Sequence, residues 1–423
     1  MNIVKRDIPN LEVYYVPIKG FKTIETFFVY TGEIYPKEFN ERNFLSEILL
    51  ETSKNYPTTE KLRFVCDNLY GLTKVGYYHF EGGLNVTMFI SSAVNDKYLD
   101  EFNVFSDSFD LLVEMIYNPR LYNGVIPKKV VREKKINAKE TLLSIKQNKN
   151  AYTYYQFMQA YMRNNQEYFA NLPDEENLRT VTSESITDNY NKMITDENLK
   201  IFIGGDFDFS EMDKIIHAKS TMIKANHQKK YQFNPTFKGN DQVNTVVEKT
   251  SSGQTRIYIG YNLDFPFNKK NSNIMSLFNE IFGGFENSKL FSVIREKLHL
   301  SYYVYSYYSK GNNLFFVNLE TNKENEDKAI SVVNKLLEEA KAGLIDDDLF
   351  LQAKMNLINR LETSVDSQSK MMIHNIIDYI RFNESFDIKN RIEDILNITK
   401  EELVELIKNI KIDTTYIYTN GDN

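Results

Sequence analysis

The sequence predicts an α+β protein built from two homologous domains, each a largely antiparallel sheet with helices packed on one face. Three observations carry this. Short β-branched and aromatic runs are dispersed among amphipathic helical runs, the pattern of α+β rather than strictly alternating α/β chains. The runs LTKVGYYHF and LNVTMFISS are joined by Glu81-Gly82-Gly83, a hairpin signal that makes the strands antiparallel neighbours. The two halves also end alike. TSESITDNYNKMITDENLKIFIGGD starts at Thr182, and TKEELVELIKNIKIDTTYIYTNGD starts at Thr399. Each runs threonine cap, helix, polar turn, strand and Gly-Asp, closing on Asp206 and Asp422, 24 and 23 residues on. A duplicated unit of about 200 residues is an ordinary domain size.

In order, the strand-rich runs 11–17 and 23–31 come first, punctuated by Gly20 and Gly32. A helix is expected over about Glu41–Lys54, stopped by Asn55-Tyr56-Pro57. A second follows Thr58 and Thr59 as caps and ends at Gly71. After the hairpin, 98–117 reads as a helix with Phe102, Phe105, Phe109, Leu112 and Ile116 on one face. One long helix is expected from about Lys128 toward Met162. A further helix covers 185–194, and 199–203 is a strand. Residues 218–240 lose periodicity and read as a linker, giving domains 1–217 and 241–423. The second domain opens with the strand TRIYIGYN from Thr255 and a helix over 273–282. A helix over 288–297 leads to strands at 301–309 and 314–320. Helices at about 324–342, 346–364 and onward to 383 precede the closing helix and strand.

With 423 residues, 42% hydrophobic and 26% charged, the composition is that of an ordinary globular protein. A net charge of −7 leaves no overall footprint for nucleic acid. No apolar run approaches the roughly 18 residues of a membrane span. The first residues lack the apolar stretch of a secretion signal. A cytoplasmic location is expected, with no membrane partner. The single cysteine, Cys66, forbids an intramolecular disulfide and reads as a buried small apolar residue. The five histidines, His79, His217, His227, His299 and His374, include no pair at helical ligand spacing. His79 reads as an exposed strand position, and His299 as part of a turn. The Lys-rich stretch 128–149 reads as a solvated face.

Two constellations could carry chemistry. Asn43, Ser46 and Glu47 fall at i, i+3 and i+4 and share a helical face, with Phe44, Leu45, Ile48 and Leu49 turned to a core. Their spacing is that of His-x-x-Glu-His, in which one helix supplies two zinc ligands and a general base. Both imidazoles and the base are replaced here. Downstream, Glu133 and Glu140 are seven apart and two turns along one face. Carboxylates without imidazole or thiolate suit a hard cation better than zinc, and a serine is no base at neutral pH. As isolated residues all three glutamates read as solvated surface acids. In the second constellation, Arg295 ends a helix and Tyr302 starts the next strand. A guanidinium and a phenol together can fix a carbonyl, a carboxylate or a developing oxyanion. The plain alternative is a helix-capping Arg paired with a surface acid, beside a packed Tyr.

SKLFSVIREKLHLSYYVYS, with SGQTRIYIGYN and IFGGFENSKLF before it, closely resembles the second-domain signature of the pitrilysin/insulinase superfamily. The branch is that of the short bacterial and mitochondrial processing peptidases. NFLSEILLETSKNYPT stands in the place of the His-x-x-Glu-His helix, with the register set by Tyr56-Pro57. VVREKKINAKETLLSI resembles the later helix, with Glu140 at the third-ligand position and Glu133 at the second glutamate. The resemblance spans nearly the whole chain. It implies two homologous α+β domains forming half of a clam-shell. It also implies a dismantled zinc site at Asn43, Ser46, Glu47, Glu133 and Glu140, and a retained substrate-gripping pair, Arg295 and Tyr302. The chain is then expected to be inactive alone, without catalytic residues, metal or cofactor of its own. It would line the chamber of a heterodimeric zinc peptidase whose His-x-x-Glu-His partner carries the zinc and cuts peptides. The alternative is a scaffold or peptide-binding accessory in peptide maturation or protein modification, without cleavage.

Overall fold

A computed structural model describes residues 3–421 apart from 101–102, 166–174, 226–228, 230, 236, 241 and 252. Phe102, His227 and Asp422 lie outside the described residues. The chain forms two compact units. The first comprises Met1–Ser144, Ala170–Phe233 and Val365–Asp387; the second comprises Ile145–Phe169, Asn234–Ser364 and Ile388–Asn423.

The first unit holds a sheet of β1 (Val4–Ile8), β2 (Leu11–Pro17), β3 (Thr23–Gly32), β4 (Thr73–Glu81), β5 (Leu84–Val94) and β6 (Asn198–Gly205), in the order β1-β2-β6-β3-β5-β4. Only β2 and β6 run parallel. The second unit holds β7 (Asn244–Thr250), β8 (Thr255–Leu263), β9 (Ser301–Ser309), β10 (Leu314–Thr321) and β11 (Ile410–Asn420), in the order β7-β11-β8-β10-β9. Only β7 and β11 run parallel. Leaving out β1, the two topologies coincide strand for strand, including the one parallel pair. The duplication seen in the two chain endings therefore extends through both halves. Thr182 and Thr399 each close a reciprocal capping box, with Ser185 and Glu402.

The β4–β5 hairpin turns on Gly82 and Gly83, both at positive φ (51° and 81°), as a two-residue turn between antiparallel strands requires. Strand alternation divides each sheet into two apolar faces. In the first unit, Val13, Tyr15, Phe28 and Ile203 pack against helices Phe39–Ile48, Val104–Tyr117 and Ser183–Asp196. The opposite face, with Tyr14, Val16, Phe27 and Phe202, is covered by Met371, Met372 and Ile376 of helix Gln368–Phe382. In the second unit, Ile257, Ile259, Phe315 and Val317 face helices Lys269–Asn279 and Glu326–Lys341. Tyr258, Phe316 and Tyr416 face Phe157 and Tyr161 of helix Lys149–Tyr161. Each sheet thus carries its own layer of helices on one face and, on the other, one helix from the other half of the sequence. A sheet apolar on both sides needs cover on both.

Neither unit is one run of sequence, so the passage at 218–240 is one of several. The expected helix from 128 to 162 is two, Lys128–Gln147 and Lys149–Tyr161. The break is Asn148, whose side chain accepts from the N–H groups of Asn150 and Ala151 at 3.0 and 3.1 Å. Strands β1 and β7 and helices Phe209–Lys219 and Ile388–Leu396 add to the elements expected from sequence. Cys66 is buried, and burial pushes its thiol pKa up. His79 is half-buried rather than exposed and lies 4.0 Å from Glu81. No described helix is long and apolar enough to cross a membrane.

Candidate functional site

The first constellation sits on helix Phe39–Ile48, which stops six residues before the expected Lys54. Phe44, Leu45, Ile48 and Leu49 enter the core as their spacing requires. The helix lies hard against β4 at Gly76, where a Cβ would stand 1.9 Å from the Ser46 carbonyl oxygen. Asn43 is half-buried. Ser46 is buried and its hydroxyl donates to the Asn43 carbonyl at 2.8 Å, so its hydrogen bond stays within its own helix. On the same helix Arg42 is buried and pairs with buried Glu197 at 2.7 Å. Its Nε donates to Asn189 at 2.7 Å, and Asn85 donates to Glu197 at 2.9 Å. Burial pushes the Glu197 pKa up; Arg42 and Asn85 oppose that.

Glu47 is half-exposed and its partner is Lys134. The Lys134 Nζ donates to Glu47 Oε2 at 2.5 Å and to Glu51 Oε1 at 2.6 Å. Burial alone would lower the Lys134 pKa. Its hydrogen bonds to the two carboxylates, and their charges, outweigh burial and raise it. Lys134 was missed in the sequence, yet a signal exists. Val131, Lys134, Ala138 and Leu142 occupy i, i+3, i+7 and i+11 and are all buried. A lysine in an apolar stripe calls for a carboxylate opposite.

Glu133 and Glu140 are exposed. Glu133 lies 3.9 Å from Lys129 on its own helix, and no hydrogen bond or ion pair joins Glu140 to another described residue. Neither is brought to Glu47 by any such contact. Among the described residues no group of three His, Cys, Asp or Glu side chains could hold a metal ion. Asn43 offers an amide, Ser46 an internally bonded hydroxyl and Glu47 a carboxylate already paired with an ammonium, donors that suit zinc poorly.

The second half answers with a similar device. Glu280, buried after helix Lys269–Asn279, accepts from Arg360 Nη1 at 2.8 Å and Asn356 at 2.6 Å, both on helix Asp347–Ser364. Burial raises the Glu280 pKa, against Arg360 and Asn356. In both repeats a carboxylate near the first helix is tied to a cation on the long helix.

Arg295 and Tyr302 are brought together. Arg295 lies in the widened turns of Phe291–Lys297, where the Leu298 N–H reaches back five residues to the Val293 carbonyl at 2.9 Å. His299, at φ 50°, reverses the chain into β9. The Arg295 guanidinium carbon then lies 4.2 Å from the Tyr302 ring centroid and 4.5 Å from that of Phe291. Two rings thus lie within cation–π reach of it, and the guanidinium makes no hydrogen bond or ion pair with a described residue. Tyr302 is 80% exposed. The helix-cap and acid-pair alternative is absent among the described residues. β9 also ends its sheet, leaving one backbone edge without a strand partner among the described residues beside Tyr302.

Residues 180–357 match the family model described as the peptidase M16 inactive domain. That span contains Arg295 and Tyr302. A Bacillus subtilis protein named "Probable inactive metalloprotease" is 24% identical over 98% of this chain and 97% of its own length. The crystal structure of a conserved protein from Enterococcus faecalis covers both chains fully, with TM-score 0.91 and 22% identity. That of a peptidase M16 inactive domain from Pseudomonas fluorescens covers 100% of this chain and 99% of its own, with TM-score 0.80 and 14% identity.

Proposed function

We propose that this chain, a non-catalytic pitrilysin-like homologue of the M16 peptidases, is the non-catalytic subunit of a heterodimeric zinc peptidase. It forms half of a clam-shell and contributes chamber wall and the Arg295/Tyr302 pair. A partner bearing His-x-x-Glu-His supplies the zinc and the general base, and the pair of chains cleaves peptides in the cytoplasm.

The observation that carries this reading is the Arg295 guanidinium, close to the rings of both Phe291 and Tyr302 with no carboxylate partner among the described residues. An arginine kept for packing or surface pairing would have its N–H donors used or freely hydrated. Here the cation lies over two rings and none of its N–H groups is taken by a described residue, so they remain for an oxygen ligand. A peptide carbonyl or carboxylate in that plane accepts two hydrogen bonds, and the exposed Tyr302 hydroxyl adds a third. The edge of β9 offers backbone partners to an extended peptide alongside. Lys134 on Glu47 supports the other half of the reading, because a carboxylate already paired with an ammonium is a poor ligand for the metal that would activate a water.

Co-expression with a His-x-x-Glu-His homologue from the same genome tests it. The two chains are expected to co-purify and to cleave peptides, whereas each alone is inactive. Full cleavage by the homologue alone contradicts it.

A further inference from the structure

Lys128, Arg132, Lys135 and Lys139 fall at i, i+4, i+7 and i+11 of helix Lys128–Gln147 and share one face. That face is no plain solvated surface. It forms one wall of a groove of about 560 Å³, whose other wall is the turn 181–184 leading into helix Ser183–Asp196. Val131 and Val181 are buried at its floor, and Ile136 is 46% exposed within it. Lys135 is drawn toward the turn, donating to the carbonyls of Val181 and Arg179 at 3.0 and 3.4 Å. Arg132 and Lys139 have no carboxylate partner among the described residues. The groove holds one carboxylate, Glu184, already engaged by its own backbone N–H and by Thr182, with Lys128 close by. Four cations therefore line the groove beside one lining acid, with the buried Glu41 also close to Lys135, on a chain whose net charge is −7.

We propose that this groove docks an acidic peptide segment of a partner protein, carboxylates toward the four cations and an apolar side chain on Ile136. From Lys128 to Lys139 the cations span about 16 Å, at 1.5 Å per helical residue. That is the length of about five extended residues, so three acids at alternate positions can span the row of four cations, the middle one between Arg132 and Lys135. Nucleic acid is the poorer occupant. An apolar floor gives a phosphate backbone nothing, and the acidic remainder of the chain repels a polyanion running past so short a groove.

The test uses the full chain and a fluorescein-labelled peptide of alternating glutamate and leucine, about ten residues long, read by anisotropy. Binding should weaken with added salt. Arg132→Glu with Lys139→Glu should loosen it about tenfold or more. Lys129→Glu, which removes a cation outside the groove, should change it less than about twofold. If the double variant melts lower than wild type, Lys139→Glu alone, at an exposed position, carries the comparison. Equal affinity in wild type and groove variants overturns the proposal. So does displacement of the peptide by an oligothymidine at lower concentration than by unlabelled peptide.

Discussion

The ammonium of Lys134 sits 2.5 Å from the carboxylate of Glu47, the residue that the sequence resemblance would align with the second histidine of a zinc motif, and 2.6 Å from Glu51. A fixed positive charge is thus paired with this carboxylate. Glu47→Ala leaves Lys134 its bond to Glu51, so it should cost less than about 1 kcal/mol in urea unfolding. It should also leave the activity of any heterodimer unchanged, whereas replacing the motif glutamate of the partner should abolish it.

Lys134 also sets a pH dependence. Its pKa in the folded chain is raised above the ordinary 10.5, so folding favours the protonated form. The stabilisation is complete below the ordinary value and is lost as pH rises through the raised one. Lys134→Met should therefore lower the unfolding midpoint at neutral pH. The gap between variant and wild type should close as the pH is taken above about 10.5. A gap that stays constant across that range contradicts the pairing.

Introducing His-x-x-Glu-His into this helix should not confer tight metal binding on its own. With Asn43→His, Ser46→Glu and Glu47→His in place, the Lys134 ammonium still faces the site and repels a dication. Adding Lys134→Ala should tighten zinc binding about tenfold or more, read by calorimetry. Equal zinc affinity with and without Lys134 removes the lysine from the explanation.

Gly76 tests how tightly the helix seats on the sheet. A Cβ there meets the Ser46 carbonyl at 1.9 Å, and backbone on both sides cannot swing away. Gly76→Ala should cost about 1–3 kcal/mol, while Gly71→Ala, with open space around its Cβ position and φ 74°, should cost about 1 kcal/mol from backbone strain alone.

The parts legible in the sequence were those with local causes. Thr182 and Thr399 announce their helices by capping, Gly82-Gly83 announces a hairpin, and Phe44, Leu45 and Ile48 declare a buried face by spacing. Arg295 and Tyr302 are seven residues apart, so a helix end and a strand start suffice to bring them together. The remainder depended on distant partners. β7 alternates half-buried and exposed residues and gains its place only by pairing with β11. Helices Lys149–Tyr161 and Gln368–Phe382 look like their neighbours in sequence, but a sheet apolar on both faces draws each to the other half's unit. The Lys134–Glu47 pair joins residues 87 apart. Its one local trace is a lysine among Val131, Ala138 and Leu142.

On the proposed function, this chain supplies the substrate grip for a zinc site carried elsewhere. The most direct measurement is kcat/KM for peptide cleavage by the complex with a His-x-x-Glu-His partner, comparing wild type with Arg295→Ala and Tyr302→Phe. Loss of the charged donor pair should reduce it about a hundredfold, and loss of the hydroxyl about tenfold, with the complex still assembling. Equal kcat/KM in all three complexes would contradict a composite site.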